Sequence, residues 1–156
     1  MCGIIALYVR EHNGAYRGNS NLKDMLEKMH HRGPDEDDLF SLRSMYLGHK
    51  RLSIIGPEQG HQPIPNESGD IQVVANGEIY NYKQLKEELT DHEFSTLSDS
   101  EVIVHLYEEK GVDCVRDLDG MFAIVLSDHG KPFVARDALG IKPLYYAENK
   151  EDIYFS

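Results

Sequence analysis

The sequence predicts a mixed α+β domain, and three observations support that prediction. Apolar runs of strand length recur along the chain. Segments with helical spacing lie among them, and glycine or proline separates most of these elements. The length of 156 residues is enough for one core that buries about two-thirds of the surface of the unfolded chain. We therefore expect residues 1–156 to form a single domain.

The first predicted strand covers residues 2–9, which are apolar throughout and rich in β-branched and aromatic side chains. Such a run is typical of a strand buried on both faces, so we expect it at the centre of a sheet. A loop rich in glycine and asparagine follows over residues 10–20. Leucine and methionine then recur at helical spacing over residues 22–29, and this first helix stops at Gly33.

The middle of the chain predicts two more strands and a second helix. The strands cover residues 46–55 and 71–76, and a loop punctuated by glycine and proline separates them. Asn81, with a glutamine three residues later, suits the start of a helix that carries two leucines on one face. This helix follows the second strand closely, so the two elements are expected to be neighbours.

A third helix has clearer boundaries. Ser98 and Glu101 have the spacing of a capping box, and Gly111 supplies the stop at the other end. Valine, isoleucine, leucine and tyrosine between them form a stripe that we expect to be buried. The remaining apolar runs predict four strands with tight turns, over residues 121–127, 133–136, 144–147 and 153–155.

Charge and cysteine content narrow the class of protein. Sixteen lysines and arginines against 27 aspartates and glutamates give a formal net charge of −11 at pH 7. This acidic balance argues against a nucleic acid or an anionic membrane as a partner. Two cysteines do not make a disulfide framework, and the short apolar run at the N-terminus lacks the layout of a signal peptide. We expect a cytoplasmic protein.

Cys2 stands out because of its position. Removal of Met1 leaves a cysteine that carries both a thiol and a free α-amine. The pKa of an α-amino group is about 7.7–8.0, so part of it is unprotonated at neutral pH and can act as the general base of the thiol. The alternative is a small buried side chain that opens a strand. Position favours the catalytic interpretation, and Gly3 next to Cys2 lets a substrate or another backbone come close.

Seven motifs in one order give the chain a resemblance to a known family. They are MCGI at 1–4, HRGPD at 31–35, GHKRLSI at 48–54, ANGEIYN at 75–81, LSDSEVI at 97–103, GMFA at 120–123 and RDALGIKPLYY at 136–146. Together the motifs cover nearly the whole chain, which makes chance resemblance improbable. The chain resembles the class II, or N-terminal nucleophile, glutamine amidotransferases, and within them the glutaminase domain of asparagine synthetases of the B type.

The resemblance implies a fold and an activity. The fold is the four-layer αββα sandwich of the N-terminal nucleophile hydrolases. The activity is hydrolysis of glutamine to glutamate and ammonia through a Cys2 thioester. The ammonia would pass to an ATP-dependent synthetase domain, which is absent from residues 1–156 and which we expect in cis or in trans. ATP and Mg²⁺ are implied for that domain and no cofactor for this one, and a homodimer stays open.

Releasing ammonia from a carboxamide requires donors to an oxyanion, and binding a free amino acid requires a cation and an anion. Asn76 and Gly77 offer a side-chain amide and a backbone N–H, and the resemblance assigns them to the oxyanion hole. Arg51 can bind the α-carboxylate through a bidentate pair, and Asp99 can accept from the α-ammonium. The resemblance gives both residues these roles and adds Glu78 to the ammonium contacts.

Each of these residues also has a structural alternative. Asn-Gly is the commonest hairpin turn, Asp99 can cap a helix, and Arg51 can be a solvated charge beside Lys50. The presence of oxyanion donors, a cation and an anion in one chain favours the site.

The resemblance implies roles for further residues. It places Arg32 near the nucleophile, where a positive charge lowers the pKa of a thiol, although Arg32 at a helix end also suits the helix dipole. It gives contacts in the glutamine pocket to Leu52, Ser53, Ile54 and Ile55.

Other polar groups receive no functional role. The eight histidines lack the spacing of known metal motifs, so no metal site is predicted. Residues 35–38 fit a solvated acidic turn, and Cys114 fits a buried structural thiol. Two other functions remain open at this point. One is a non-catalytic module that binds glutamine for regulation, and the other is an N-terminal nucleophile acylase acting on another amide.

Overall fold

The structure is a computed structural model that describes residues 2–10, 18–52 and 60–156. The strands in these ranges are β1 (Gly3–Val9), β2 (Glu36–Leu42), β3 (Met45–Arg51), β4 (Ile64–Pro65), β5 (Ile71–Ile79), β6 (Gly120–Asp128), β7 (Lys131–Arg136), β8 (Tyr146–Glu148) and β9 (Asp152–Phe155). The α-helices are α1 (Gly18–Lys28), α2 (Tyr82–Glu88) and α3 (Val102–Lys110). Short 3₁₀-helices, Asp99–Glu101 and Gly111–Arg116, flank α3.

The described strands form two sheets. The first sheet has the order β2-β3-β1-β9-β8 and the second has the order β4-β5-β6-β7. All the strand pairs in these ranges are antiparallel. In the first sheet β1 pairs with β3 on one side and β9 on the other, so the prediction of a central first strand is confirmed.

Three apolar clusters show how the layers stack. One joins α1 to the outer face of the first sheet, and another joins α2 and α3 to the outer face of the second sheet. Between the sheets lies the intersheet layer, whose buried members are Ile4, Ala6, Met45, Leu47, Val74, Ala123 and Val125. The order of layers is therefore helix, sheet, sheet, helices, and the predicted αββα sandwich is confirmed.

Alternation of side chains along β3 divides its residues between two layers. Met45 and Leu47 lie in the intersheet layer, so His49 and Arg51 turn to the same face. Lys50 turns to the other face, where its ammonium pairs with Glu27 of α1 at 3.7 Å. The C-terminal end of β3 thus directs two polar side chains between the sheets.

Several predicted boundaries need correction. The strand predicted over residues 71–76 continues to Ile79, so the Asn-Gly pair lies inside β5 and makes no hairpin turn. Residues 36–38 belong to β2 and not to an acidic turn. Their charges are tolerated because β2 is the edge of its sheet, where side chains reach solvent.

The start of the third helix also differs from its prediction. Ser98 does act as a cap, and its side chain accepts from the Ser100 N–H. Glu101 does not complete a capping box, because its carboxylate accepts from the backbone and hydroxyl groups of Ser95 and Thr96. Gly111 ends α3 as predicted, with a φ of 56° that favours glycine.

The structure describes helix α1 but only part of the chain before it. Helix α1 begins at Gly18, inside the predicted loop, and ends at Lys28. Most of that loop, residues 11–17, lies outside the described residues. None of the helices within the described ranges has both the length and the apolar character needed to cross a membrane.

His49 is a buried polar group of the intersheet layer, with 2% of its surface exposed. Burial and, to a smaller extent, the positive charge of Arg51 together lower the pKa of His49 from 6.5 to about 4. The imidazole is therefore neutral in the folded protein at neutral pH.

This burial predicts an acid-sensitive stability. In the unfolded chain His49 binds a proton below about pH 6.5, whereas in the folded protein it does so only near pH 4. The free energy of unfolding should therefore fall as the pH drops through this window, by about 2 kcal/mol at pH 4.5 relative to pH 7. Urea unfolding followed by circular dichroism at each pH should show that loss in the wild type. The loss of unfolding free energy between pH 7 and pH 4.5 should be about 2 kcal/mol smaller in His49→Gln than in the wild type. Parallel pH profiles of the two proteins would contradict the prediction.

Candidate active site

Cys2 lies directly before β1 and is half-buried. Gly3 pairs with Lys50, and extending this register by one residue sets Cys2 opposite Arg51. Since Ile4 and Ala6 face the intersheet layer, alternation turns Cys2 to that layer as well. The candidate nucleophile and the candidate carboxylate-binding cation thus lie side by side at one end of the first sheet.

Arg32 lies at this same end of the sheet. A Cβ on Gly3 would lie 3.4 Å from Cβ of Arg32 and 2.8 Å from the terminal carbon of Met29. Gly3 is therefore needed for close packing against the end of the α1 region, and the same packing brings Arg32 next to the Cys2–Gly3 backbone. The structure supports the proximity implied for Arg32.

Arg51 is the last residue of β3 and is 7% exposed, so it is not the solvated charge of the structural alternative. Its Nη1 donates to Oε2 of Glu36 at 3.0 Å. Glu36 opens β2 and stands opposite Arg51 in the register. Sequence reasoning gave Glu36 no role, because residues 35–38 were predicted as a turn. The pair holds the guanidinium in the intersheet layer.

A short segment links the end of the first sheet to β5 of the second. A Cβ on Gly60 would lie 2.8 Å from Nη2 of Arg51, so the Gly60 backbone passes directly over the guanidinium. Two residues later, Oε1 of Gln62 accepts from the Ala75 N–H at 2.6 Å. The two residues of chain from Gly60 to Gln62 span at most about 7 Å. Arg51 and Ala75 of β5 therefore lie at the same end of the sandwich.

Asn76 and Gly77 follow Ala75 in β5. Asn76 is 4% exposed, and alternation with Val74 turns its side chain to the intersheet layer. A Cβ on Gly77 would overlap the carbonyl oxygen of Met121 and lie 2.7 Å from Cα of Phe122. Only glycine therefore fits at position 77 of β5.

The backbone N–H of Gly77 points away from β6. Gly77 stands opposite Phe122, but the backbone N–H and C=O of Phe122 both bond Asp137, on the other side of β6. On β5 the N–H groups of Ala75 and Ile79 point to the edge opposite β6, where Gln62 and Asp99 accept from them. The Gly77 N–H lies between these two and points to the same edge. A side-chain amide and a backbone N–H thus lie in adjacent positions.

Asp99 lies in the first 3₁₀-helix and bonds to β5. Its Oδ2 accepts from the Ile79 N–H at 2.6 Å. Ser98 is the N-cap of this 3₁₀-helix, and its side chain accepts from the Ser100 N–H. Burial raises the pKa of the Asp99 carboxyl above its usual range, the Ile79 hydrogen bond opposes that rise, and the negative charge of Glu78 adds to it. Two carboxylates therefore converge at the end of β5 and favour a positively charged ligand.

The resemblance implies pocket contacts for the four residues after Arg51, and the structure describes the first of them. Leu52 is half-buried directly after β3. Ser53, Ile54 and Ile55 lie outside the described residues. Glu78 is exposed in β5, and alternation places it on the same face as Asn76.

Cys114, the second cysteine, lacks the properties of a nucleophile. It is fully buried in the cluster beneath α3. Burial and, to a smaller extent, the negative charge of Asp117 raise the pKa of the Cys114 thiol to about 11. Its predicted structural role is confirmed, and the half-buried Cys2 is the thiol with access to the candidate site.

Comparison with known proteins identifies a family and several relatives of this chain. A family model described as "Glutamine amidotransferase domain" matches residues 1–156. A glutamine-hydrolysing asparagine synthetase of Arabidopsis thaliana is 49% identical over 147 residues, 93% of this chain and 25% of that protein. One from Zea mays is 51% identical over 148 residues, again 93% and 25%. One from Bacillus subtilis is 48% identical over 137 residues, 86% and 18%.

A solved structure supports the fold. The glutamine phosphoribosylpyrophosphate amidotransferase from B. subtilis superimposes with a TM-score of 0.81, at 19% identity, over 99% of this chain and 41% of that one.

This chain spans about a quarter or less of the length of the asparagine synthetases it matches. The family resemblance deduced from the motifs is confirmed, and the chain belongs to the glutamine amidotransferase domain family.

Proposed function

We propose that this domain hydrolyses the side-chain carboxamide of glutamine to glutamate and ammonia, with Cys2 as the nucleophile. The observation that carries the proposal is the convergence of Cys2, Arg51 and the open edge of β5 at one end of the intersheet layer. The family description and the names of the relatives, which are glutamine-hydrolysing enzymes, support the choice of substrate.

The reaction has two halves. After removal of Met1, the α-amine of Cys2 takes the thiol proton while Sγ bonds to the carboxamide carbon. The amine then returns the proton to the leaving nitrogen, the C–N bond breaks, and ammonia departs from a thioester. Water attacks the thioester with the amine again as base, and glutamate leaves as the free thiol re-forms. One residue supplies the nucleophile and the proton carrier.

The tetrahedral intermediates carry a negative oxygen, and adjacent donors on β5 stabilise it. The Asn76 side-chain amide and the Gly77 N–H supply these donors. Because strand pairing fixes both in advance, they need little reorganisation during the reaction. Removing one such donor typically costs about a hundredfold to a thousandfold in rate.

Recognition of the amino-acid end follows the charges of the site. Arg51, already oriented by Glu36, binds the α-carboxylate, and Asp99 with Glu78 binds the α-ammonium. The ammonium relieves the repulsion between these two carboxylates, which favours a zwitterionic ligand over a simple amide. Leu52 follows Arg51 directly and joins the pocket in this proposal. The contacts that the resemblance implies for Ser53, Ile54 and Ile55 stay predictions.

The fate of the ammonia is the second part of the proposal. The curated relatives are asparagine synthetases of which this domain spans about a quarter or less, so we infer that a synthetase domain, in cis or in trans, receives the ammonia. ATP and Mg²⁺ would act in that domain. A cytoplasmic location and a homodimer stay predictions.

The first prediction from the proposed mechanism concerns the nucleophile. Cys2→Ala should lower the rate of glutamate release from glutamine by at least about a thousandfold, because the thioester no longer forms. Cys114→Ala is the matched control, since that thiol is buried away from the site, and it should retain near wild-type turnover. Circular dichroism should show both variants folded. Equal loss in the two variants, or turnover by Cys2→Ala, would exclude the proposed chemistry. Glutamine binding without turnover in the wild type would indicate a regulatory module instead.

The second prediction concerns processing. The α-amine of Cys2 is free only when Met1 has been removed, so the active protein should lack the mass of one methionine. Intact mass spectrometry of fractions with and without activity checks this. A protein that retains Met1 and still hydrolyses glutamine at the processed rate would remove the amine from the mechanism.

The third prediction concerns substrate recognition and uses two charge-conserving exchanges at neighbouring positions. Arg51→Lys keeps the charge but loses the bidentate geometry, so the KM for glutamine should rise about tenfold to a hundredfold. Lys50→Arg, on the α1 face of the same strand, should change KM less than about twofold. Steady-state kinetics measure both. An unchanged KM in Arg51→Lys would favour the acylase alternative, which acts on an amide without an α-carboxylate.

A further inference from the structure

We propose that Glu67, His92, His105 and Glu108 bind a divalent transition metal of the Zn²⁺ class. The four residues come from separate parts of the chain: the turn between β4 and β5, the segment after α2, and α3, which carries the last two. One ligand atom from each residue lies within 4.8 Å of all the others. The site would tie α3 and the segment after α2 to the edge of the second sheet.

The distances between these atoms suit a small tetrahedral ion. Nδ1 of His92 lies 3.1 Å from Oε1 of Glu67 and 3.8 Å from Oε2 of Glu108. Nδ1 of His105 lies 3.4 Å and 3.5 Å from the Oε2 atoms of the same two carboxylates. Tetrahedral Zn²⁺ with bonds of about 2.0–2.2 Å separates its ligand atoms by about 3.3–3.6 Å. The four nitrogen–oxygen distances bracket that range, with Oε1 of Glu67 nearer His92 and Oε2 of Glu67 nearer His105.

His105 gives independent evidence for a ligand. Its side chain is 1% exposed, and in the described part of the chain neither ring nitrogen has a partner in hydrogen-bond geometry. A buried polar group without a hydrogen bond destabilises the folded protein. Since Nδ1 lies 3.4 Å and 3.5 Å from carboxylate oxygens of Glu67 and Glu108, a cation between these three groups would satisfy all of them.

The surroundings also position the ligands. Asn66 Nδ2 donates to Oε1 of Glu108 at 2.7 Å, which leaves Oε2 directed at the two imidazoles. Each histidine has a carboxylate near its outer nitrogen: Oε1 of Glu109 lies 3.6 Å from Nε2 of His92, and Oε1 of Glu101 lies 3.9 Å from Nε2 of His105. A carboxylate on this side of an imidazole can orient a metal-bound histidine once it moves into hydrogen-bond distance.

Charge and access agree with a divalent ion. Two neutral imidazoles and two carboxylates carry −2, which a divalent cation neutralises. His92 is 14% exposed, while Glu67 and Glu108 are 36% and 26% exposed, so an ion can enter from the surface. Mixed nitrogen and oxygen ligands of this kind suit Zn²⁺ and its first-row neighbours more than Mg²⁺ or Ca²⁺.

The test is a Zn²⁺ titration of the chain after dialysis against EDTA, in the Cys2→Ala background. That background removes the active-site thiol as a competing ligand, so the result does not depend on glutamine hydrolysis. Calorimetry should show one Zn²⁺ bound per chain, and the unfolding temperature should rise with free Zn²⁺. Absence of saturable binding would overturn the proposal and leave a cluster that holds protons only.

Variants assign the binding to this site. His92→Gln and Glu108→Gln, at partly exposed positions, should each weaken Zn²⁺ binding at least about a hundredfold, and circular dichroism should show both folded. His129→Gln is the matched control, because His129 also lies near two carboxylates, Asp70 and Asp128, and it should bind Zn²⁺ as the parent does. Unchanged affinity in both site variants, or equal weakening in the control, would overturn the proposal.

Discussion

Side-chain alternation in paired antiparallel strands is the constraint on which both the core and the candidate active site depend. Along β3, Leu47 is apolar and lies between the sheets, and His49 and Arg51 follow on the same face. Because β1 pairs with β3 along nearly all its length, the change from apolar to polar in β3 falls beside Cys2. A slip of one residue would turn Arg51 toward α1. The register that builds the core therefore also sets the place of the chemistry.

The open edge of β5 depends on a second constraint, the close approach of β5 and β6. Gly77 has no room for a side chain against Met121, and Asp137 holds both backbone groups of Phe122 from the far side of β6. With β4 limited to a two-residue strand, the edge of β5 beyond it is left to Gln62 and Asp99. A sheet that ends early on one side thus presents a backbone donor, which a fully paired strand does not offer.

The sequence predicted elements where local signals and tertiary environment agree. The central position of β1 followed from its continuous apolar run, and the end of α3 followed from Gly111. The acidic strand β2 was missed because charged residues are rare in strands except at an edge. There Asp37 lies 3.4 Å from Lys50 and Glu36 pairs with Arg51. Both partners lie on the neighbouring strand, so no local pattern reveals them.

The candidate active site and the proposed metal site share one feature, a pair of carboxylates that lie close together. A chain with a net charge of −11 lowers its energy by spreading its carboxylates apart, yet this fold brings a pair of them together at each of these two sites. Glu78 converges with Asp99 beside β5, and Glu67 with Glu108 beside α3. Convergence of like charges is stable when a cation lies between them. In our proposal the ammonium of the substrate is the cation between Glu78 and Asp99. Both residues stand in motifs of the family resemblance, so the sequence alone predicted them. At the second pair the histidines reach the carboxylates only through folding, so its ligands could be recognised only in three dimensions.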